Sequence, residues 1–171
     1  MVSVALDDDV IDRLRKAAST ASSVDEVLEG IARQLPDELA ISRVGFRVYD
    51  PEHDFVVVAG VWSKQPTQLK AGIAYPIVSS LGESFSSVAK SRTCSVRVVG
   101  KDPIAPPVLQ DMLAAEGNAS GVLIPVPQGS QVPGVLAIFS SRSDAFPVGA
   151  ASFYDRLGAE LSAALLSHVA L

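Results

Sequence analysis

Two runs in the last third of the chain, residues 120–127 ("SGVLIPVP") and 133–141 ("PGVLAIFSS"), are apolar at almost every position, with only "QGSQV" between them. A strand with one wet face alternates apolar and polar residues, so a run apolar on both faces belongs inside a sheet that is covered on both sides. The short polar spacer makes the pair a hairpin. The rest of the chain must therefore supply two covers for a central hairpin.

Helical spacing supplies the first cover. Val10, Leu14, Ala17 and Ala21 recur on one face behind an Asp run suited to the positive end of a helix dipole. Ser23 and Glu26 then form a capping-box signature ahead of Val24, Leu28, Ile31 and Leu35, and Pro36 closes that second helix. At the far end Leu157, Leu161, Leu165 and Val169 step through a last helix starting near Phe153.

Between these helices the period changes to two. Val44, Phe46 and Val48 alternate with Arg43, Gly45 and Arg47, so the arginine face is expected to be wet. "DPEHD" reads as a turn and "FVVVAGV" as the returning strand. "IAYPIV" is a shorter strand that Pro76 confines to an edge or an irregular position. Ser80 and Glu83 form a second capping-box signature for a helix carrying Leu81, Phe85 and Val88, and "CSVRVV" follows as a strand. "GKDPIAPP" is too rich in proline for a helix, whereas "VLQDMLAAEG" is a short helix ending at Gly117. Strands in hairpins with helices at both ends define an α+β class with an antiparallel sheet.

At 171 residues the chain fits one domain, large enough to bury roughly 70% of its unfolded surface. A single cysteine excludes an intramolecular disulfide framework and paired-thiolate zinc sites, and points to a reducing, cytoplasmic setting. The net charge of −5 argues against binding nucleic acid directly, and no run approaches the length of a membrane span.

The element order, with "LGESFSSVAKSRTCSVRV" and "SGVLIPVPQGSQVPGVLAIFSSRSDAFPVGAASFYDRLGAELSAAL", resembles a GAF domain over about residues 20 to 170. The resemblance implies a profilin/PAS-like antiparallel sheet of five or six strands, with terminal helices on one face and ligand-pocket helices and loops on the other. Residues 1–22 would then be an N-terminal dimer or linker helix, and residues 23–171 the GAF domain with its C-terminal helix. Function follows as an expectation: a non-enzymatic cytoplasmic sensor that binds a small molecule, signals through its terminal helices and forms part of a larger regulator. The runner-up is a degenerate domain that only dimerises or docks. A distant third is a thiol redox enzyme or sensor using Cys94.

The segments expected to line the pocket carry Trp62, Tyr75, Phe85 and Met112, which would make its wall apolar, or would simply fill core. Ser79 and Ser80 sit where a helix start holds anions, although Glu83 opposes that use. Cys94 adjoins the same wall, but Ser95 follows it where bilin-binding relatives commonly have His, and free methionine sulfoxide reductases of this family use several cysteines. Haem is disfavoured because His53 lies in a turn and His168 near the chain end. A cyclic nucleotide is disfavoured too: Phe146 fits the pattern of binding members, but Ser140, Ser141, Ala150 and Ala151 replace its Asn-Lys and acidic pairs. No metal cluster is expected, and the cofactor is left unassigned. The narrow stripe of the first helix and the leucines of the last point to a homodimer seam.

Overall fold

The computed structural model describes residues 5–102 and 106–169, excepting the side chains of Ser80 and Leu81. Helix α1 (Asp8–Thr20) is capped by Asp7, whose carboxylate accepts from the Val10 amide. Helix α2 (Val24–Gln34) is capped by Ser23, which accepts from the Glu26 amide. The return arm of the expected capping box lands one residue early: Glu26 Oε2 accepts from the Ser22 amide at 2.7 Å, and that bond leads the causes that lower the Glu26 pKa. After Pro36 a 3₁₀ turn, Asp37–Leu39, leads into the sheet.

Strands β1 (Ile41–Asp50) and β2 (Phe55–Ser63) form the first hairpin, and β3 (Ala74–Pro76) pairs with β2 as an edge strand, where Pro76 is tolerated. Helix α3 (Ser80–Ser91) leads to β4 (Ser95–Val98), and helix α4 (Pro107–Ala115) to β5 (Ser120–Gln128) and β6 (Gln131–Ser140). Helix α5 (Ala151–Ser167) closes the chain. The sheet has six strands in the order β3-β2-β1-β6-β5-β4, and every neighbouring pair is antiparallel. The apolar hairpin is central as expected, with only Gly129 and Ser130 between its strands.

Each face of the sheet has its own core. Val44, Phe46 and Val48 of β1, with Val122, Ile124, Leu136 and Ile138, pack against α1, α2 and α5. Val10, Ile11, Leu14 and Ala18 of α1 belong to that core, so α1 packs with the residues after position 22. Helix α5 approaches β5 closely enough that a Cβ on Gly158 would stand 2.2 Å from the Pro125 carbonyl oxygen, which no larger residue permits. The opposite face, through Val56, Val58, Leu123, Val135, Ala137 and Phe139, packs on Tyr75, Phe85, Val88 and Leu113 from β3, α3 and α4.

Strand β2 carries one extra residue. Phe46 pairs with Gly60 and Arg47 with Val58, which leaves Ala59 unmatched. Such a bulge shifts the alternation of every later residue by one. Val56 and Val58 face α3, but Trp62, of the same parity, turns to the core under the terminal helices. No described helix is long and apolar enough to cross a membrane.

Candidate functional site

Between the sheet and its α3/α4 cover lies a narrow pocket of about 30 Å³. About 10–15 Å³ of such space holds one water, so the pocket has room for about two. Its floor is Arg47, Leu123, Phe139 and Arg97, from β1, β5, β6 and β4. Ser84 of α3, Leu109, Gln110 and Leu113 of α4, and Val98, Val99 and Asp102 complete the wall. The polar groups are thus few and set among apolar side chains, as in small-molecule sites generally.

Charge in this pocket is unbalanced. Arg97 Nη1 donates to Asp102 Oδ1 at 2.7 Å, and the two side chains are only 10% and 8% exposed. The Nε–H of Arg97 is buried without a hydrogen-bond partner. The half-buried Arg47 guanidinium has no carboxylate partner among the described residues; its carbon lies 6.0 Å from the ring centroid of Tyr75, a cation–π distance. Gln110 fixes the Asp102 backbone at both ends, accepting from its amide at 3.1 Å and donating to its carbonyl at 2.9 Å. Two guanidinium groups therefore share one lining carboxylate.

A second polar cluster anchors the cover. Arg43, expected to be wet, is 2% exposed, because the segment after β2 and the end of α4 lie over it. Glu116 Oε2 accepts from Arg43 Nη1 and from Thr67 Oγ1, each at 3.1 Å, while Oε1 accepts from the Gln68 amide at 2.8 Å. Burial outweighs this partnership and pulls the Arg43 pKa down to about 10. Beside it Ser42 Oγ donates to Asn118 Oδ1 at 2.7 Å, and Asn118 Nδ2 donates to the Leu113 carbonyl at 3.0 Å. These bonds hold the end of α4, and through it the pocket wall, against β1.

The residues expected at the site separate into groups. Tyr75, Phe85 and Met112 lie on the roofed face, where Tyr75 and Phe85 are buried core and Met112 packs against them; none lines the pocket. Ser79, not Ser80, caps α3: its hydroxyl accepts from the Gly82 amide at 3.2 Å and donates to the Pro76 carbonyl at 2.6 Å. The Ser80 and Leu81 side chains lie outside the described residues. Glu83 is exposed and, one position beyond the third residue of the helix, cannot complete a box with Ser79.

Trp62 and Cys94 require correction, since both pack on the terminal-helix side of the sheet. The Ala59 bulge turns Trp62 over, and Cys94 shares its parity with Val96 while Arg97 points the other way. The Cys94 amide donates to Asp155 Oδ1 of α5 at 2.6 Å, and its Sγ lies 3.4 Å from the Ala151 carbonyl oxygen. Burial, reinforced by the Asp155 carboxylate, pushes the thiol pKa up to about 11.

Neither His53 nor His168 lines the pocket, and both are exposed. The hairpin turn does bring Asp50, Glu52 and His53 within 4.8 Å of one another, a grouping the sequence reading missed. Asp50 is already engaged there: Oδ1 accepts from the Glu52 amide at 3.0 Å and Oδ2 lies 2.7 Å from His53 Nδ1. Phe146 is buried against Tyr154, and the Ser140 hydroxyl donates to the Leu39 carbonyl. The missed pocket groups are Arg47, Ser84, Arg97, Asp102 and Gln110. The available signal was arginine on the pocket-facing parity of two strands.

No protein-family model matches the sequence, and no curated protein matches it significantly. Solved structures do resemble it. The GAF domain of a phosphoenolpyruvate-protein phosphotransferase from Coxiella burnetii superposes with a TM-score of 0.71 at 15% identity, covering 93% of this chain and 92% of that one. A free methionine-R-sulfoxide reductase from Neisseria meningitidis, in complex with its substrate, gives 0.67 at 15%, over 98% and 96%. The phycoerythrobilin-bound GAF domain of a cyanobacterial phytochrome gives 0.65 at 14%, over 94% of each. At such identities the likeness is one of fold, and by its fold the chain is a GAF-like domain.

Proposed function

We propose that this chain is a non-enzymatic, cytoplasmic sensory module that binds a small molecule between sheet and cover and passes its occupancy to the terminal helices. The observation that carries the reading is the buried, incompletely partnered Arg97 in a walled pocket, because a purely structural core has no use for an orphaned guanidinium N–H. Solved neighbours of this fold hold a substrate or a bilin, which supports a ligand in such a domain. A route outward exists: β4 carries Arg97 on the pocket side, and the Cys94 amide just before it is bonded to Asp155 of α5. Helix α5 meets α1 through Arg15–Glu160 at 3.2 Å and an Arg156–Asp8 pair. Thiol catalysis fits poorly with a cysteine behind the sheet whose pKa is raised.

A homodimer through the terminal helices belongs to this proposal. The apolar stripes of α1 and α5 are buried within the chain, and none of the exposed large hydrophobic residues lies on either helix. The seam would therefore use polar faces and weaken with salt. One observation favours the scaffold reading instead: a pocket of about 30 Å³ takes no organic ligand unless its walls yield.

Native mass spectrometry of protein purified from its own host separates the two. The sensing reading expects a bound small molecule that Arg97→Ala loses. Bare wild-type protein, unchanged in melting temperature across a metabolite library, supports the scaffold.

A further inference from the structure

The pocket's charge and its walls together specify more than a small molecule. Its described lining holds two guanidinium groups, Arg47 and Arg97, and one carboxylate, Asp102, so one positive charge is left over. Nitrogen–hydrogen bonds remain to be satisfied, since Arg97 Nε is buried without a partner although its Nη1 is paired with Asp102 at 2.7 Å. A guanidinium presents its donors as a planar fork that matches a carboxylate in two-point contact. Apart from Ser84 and Gln110, the rest of the wall, including Leu109, Leu113, Leu123 and Phe139, is hydrocarbon. One surplus cation beside an apolar wall fits a monoanion with a short apolar body better than a dianion.

We propose that the pocket binds the carboxylate of a small aliphatic acid on the unpartnered Nε–H of Arg97, beside Asp102, an inference that rests on the sensing reading above. In the structure described, Asp102 takes Arg97 Nη1 and leaves Nε unpartnered. The acid accepts from the Arg97 Nε–H, and the wall formed by Leu109 and Leu113 yields to admit its tail. Arg47 supplies the second positive charge. Because Leu109 and Leu113 belong to α4, binding is felt by α4 as well as by β4.

The test uses the intact chain, with propionate and isovalerate as probes, their amides as neutral counterparts and inorganic phosphate as the dianion. In ¹⁵N-labelled protein the Arg97 Nε–H resonance is expected to move with both acids and to stay still with both amides. Asp102→Asn removes the neighbouring negative charge and is expected to tighten acid binding at least about tenfold, whereas Arg97→Gln weakens it at least about tenfold. The wild-type titration needs no substitution, so a variant that fails to fold leaves the test standing.

Equal binding of acids and amides, or phosphate bound in preference to both, overturns the carboxylate assignment while leaving the sensing reading intact. An Asp102→Asn variant no tighter than wild type overturns the placement of the acid beside Asp102. If no probe moves the Arg97 resonance in either protein, the proposal is overturned, and the co-purification experiment still decides separately whether the domain is a sensor.

Discussion

Glu116→Gln isolates the cost of an uncompensated buried charge. The change keeps an oxygen for the Gln68 amide, but puts an NH2 group where Oε2 accepted from Thr67 and Arg43 and strips the negative charge from beside Arg43, whose side chain is 3% exposed. Arg43 stays protonated at neutral pH even though burial lowers its pKa to about 10. Removing one partner of a buried pair costs about 3–5 kcal/mol, a large part of the 5–15 kcal/mol typical of a whole domain. For a chain of this length about 2–4 °C of melting temperature is lost per kcal/mol, so the expected drop is about 6–20 °C. Scanning calorimetry and urea unfolding measure it. Arg43→Met in the Glu116→Gln background is expected to recover much of the loss, because the orphaned charge is then gone, with a coupling above about 1.5 kcal/mol. A single variant melting within about 3 °C of wild type, or a double variant whose loss equals the sum of the singles, would refute the reasoning.

Three further outcomes are expected. Gly158→Ala, which in an ordinary helix would stabilise, should here cost about 1–3 kcal/mol or more in urea unfolding, because its Cβ meets the Pro125 carbonyl oxygen at 2.2 Å; a neutral or stabilising result contradicts the close packing of α5 on β5. Cys94 should alkylate slowly at neutral pH, with a rate profile that inflects near 11; the thiol contributes stability below the ordinary thiol range that is lost as pH rises through that value, and an inflection at or below 8 would be incompatible with the burial described. Asp155→Ala deprives the Cys94 amide of its acceptor and should speed its hydrogen exchange, at a cost of about 1–3 kcal/mol, whereas unchanged exchange means the bond does not hold β4 to α5.

Much of the fold was legible because each element has a clear period and punctuation. Ser23, Pro36 and the leucines of α5 each marked a helix, and the doubly apolar runs marked the middle of the sheet. The cap of α3 was misplaced by one residue because Ser79 and Ser80 offer the same hydroxyl, and only the chain's approach from Pro76 selects between them. The site was harder to read. Alternation says which residues share a face but not what lies over that face, so Arg43 and Arg47 read as solvent-facing until the cover was in place. Trp62 was lost to the Ala59 bulge, which is fixed by register against β1 and leaves no local mark. Arg97 and Asp102 are close in sequence, yet their pairing means little without the α4 wall that keeps water from them.

The tight seat of Gly158 on Pro125 also sets how α5 can move. Leu157, Leu161 and Leu165 are buried around that seat, so α5 is gripped along its length and moves as one body. At about 1.5 Å per residue, the arm from Gly158 back to Asp155 is about 4.5 Å and the arm forward to Ser167 about 13.5 Å. A tug where β4 grips Asp155 is therefore carried along both arms at its own size. An adjustment behind the sheet thereby reaches as far as the last turn of the helix.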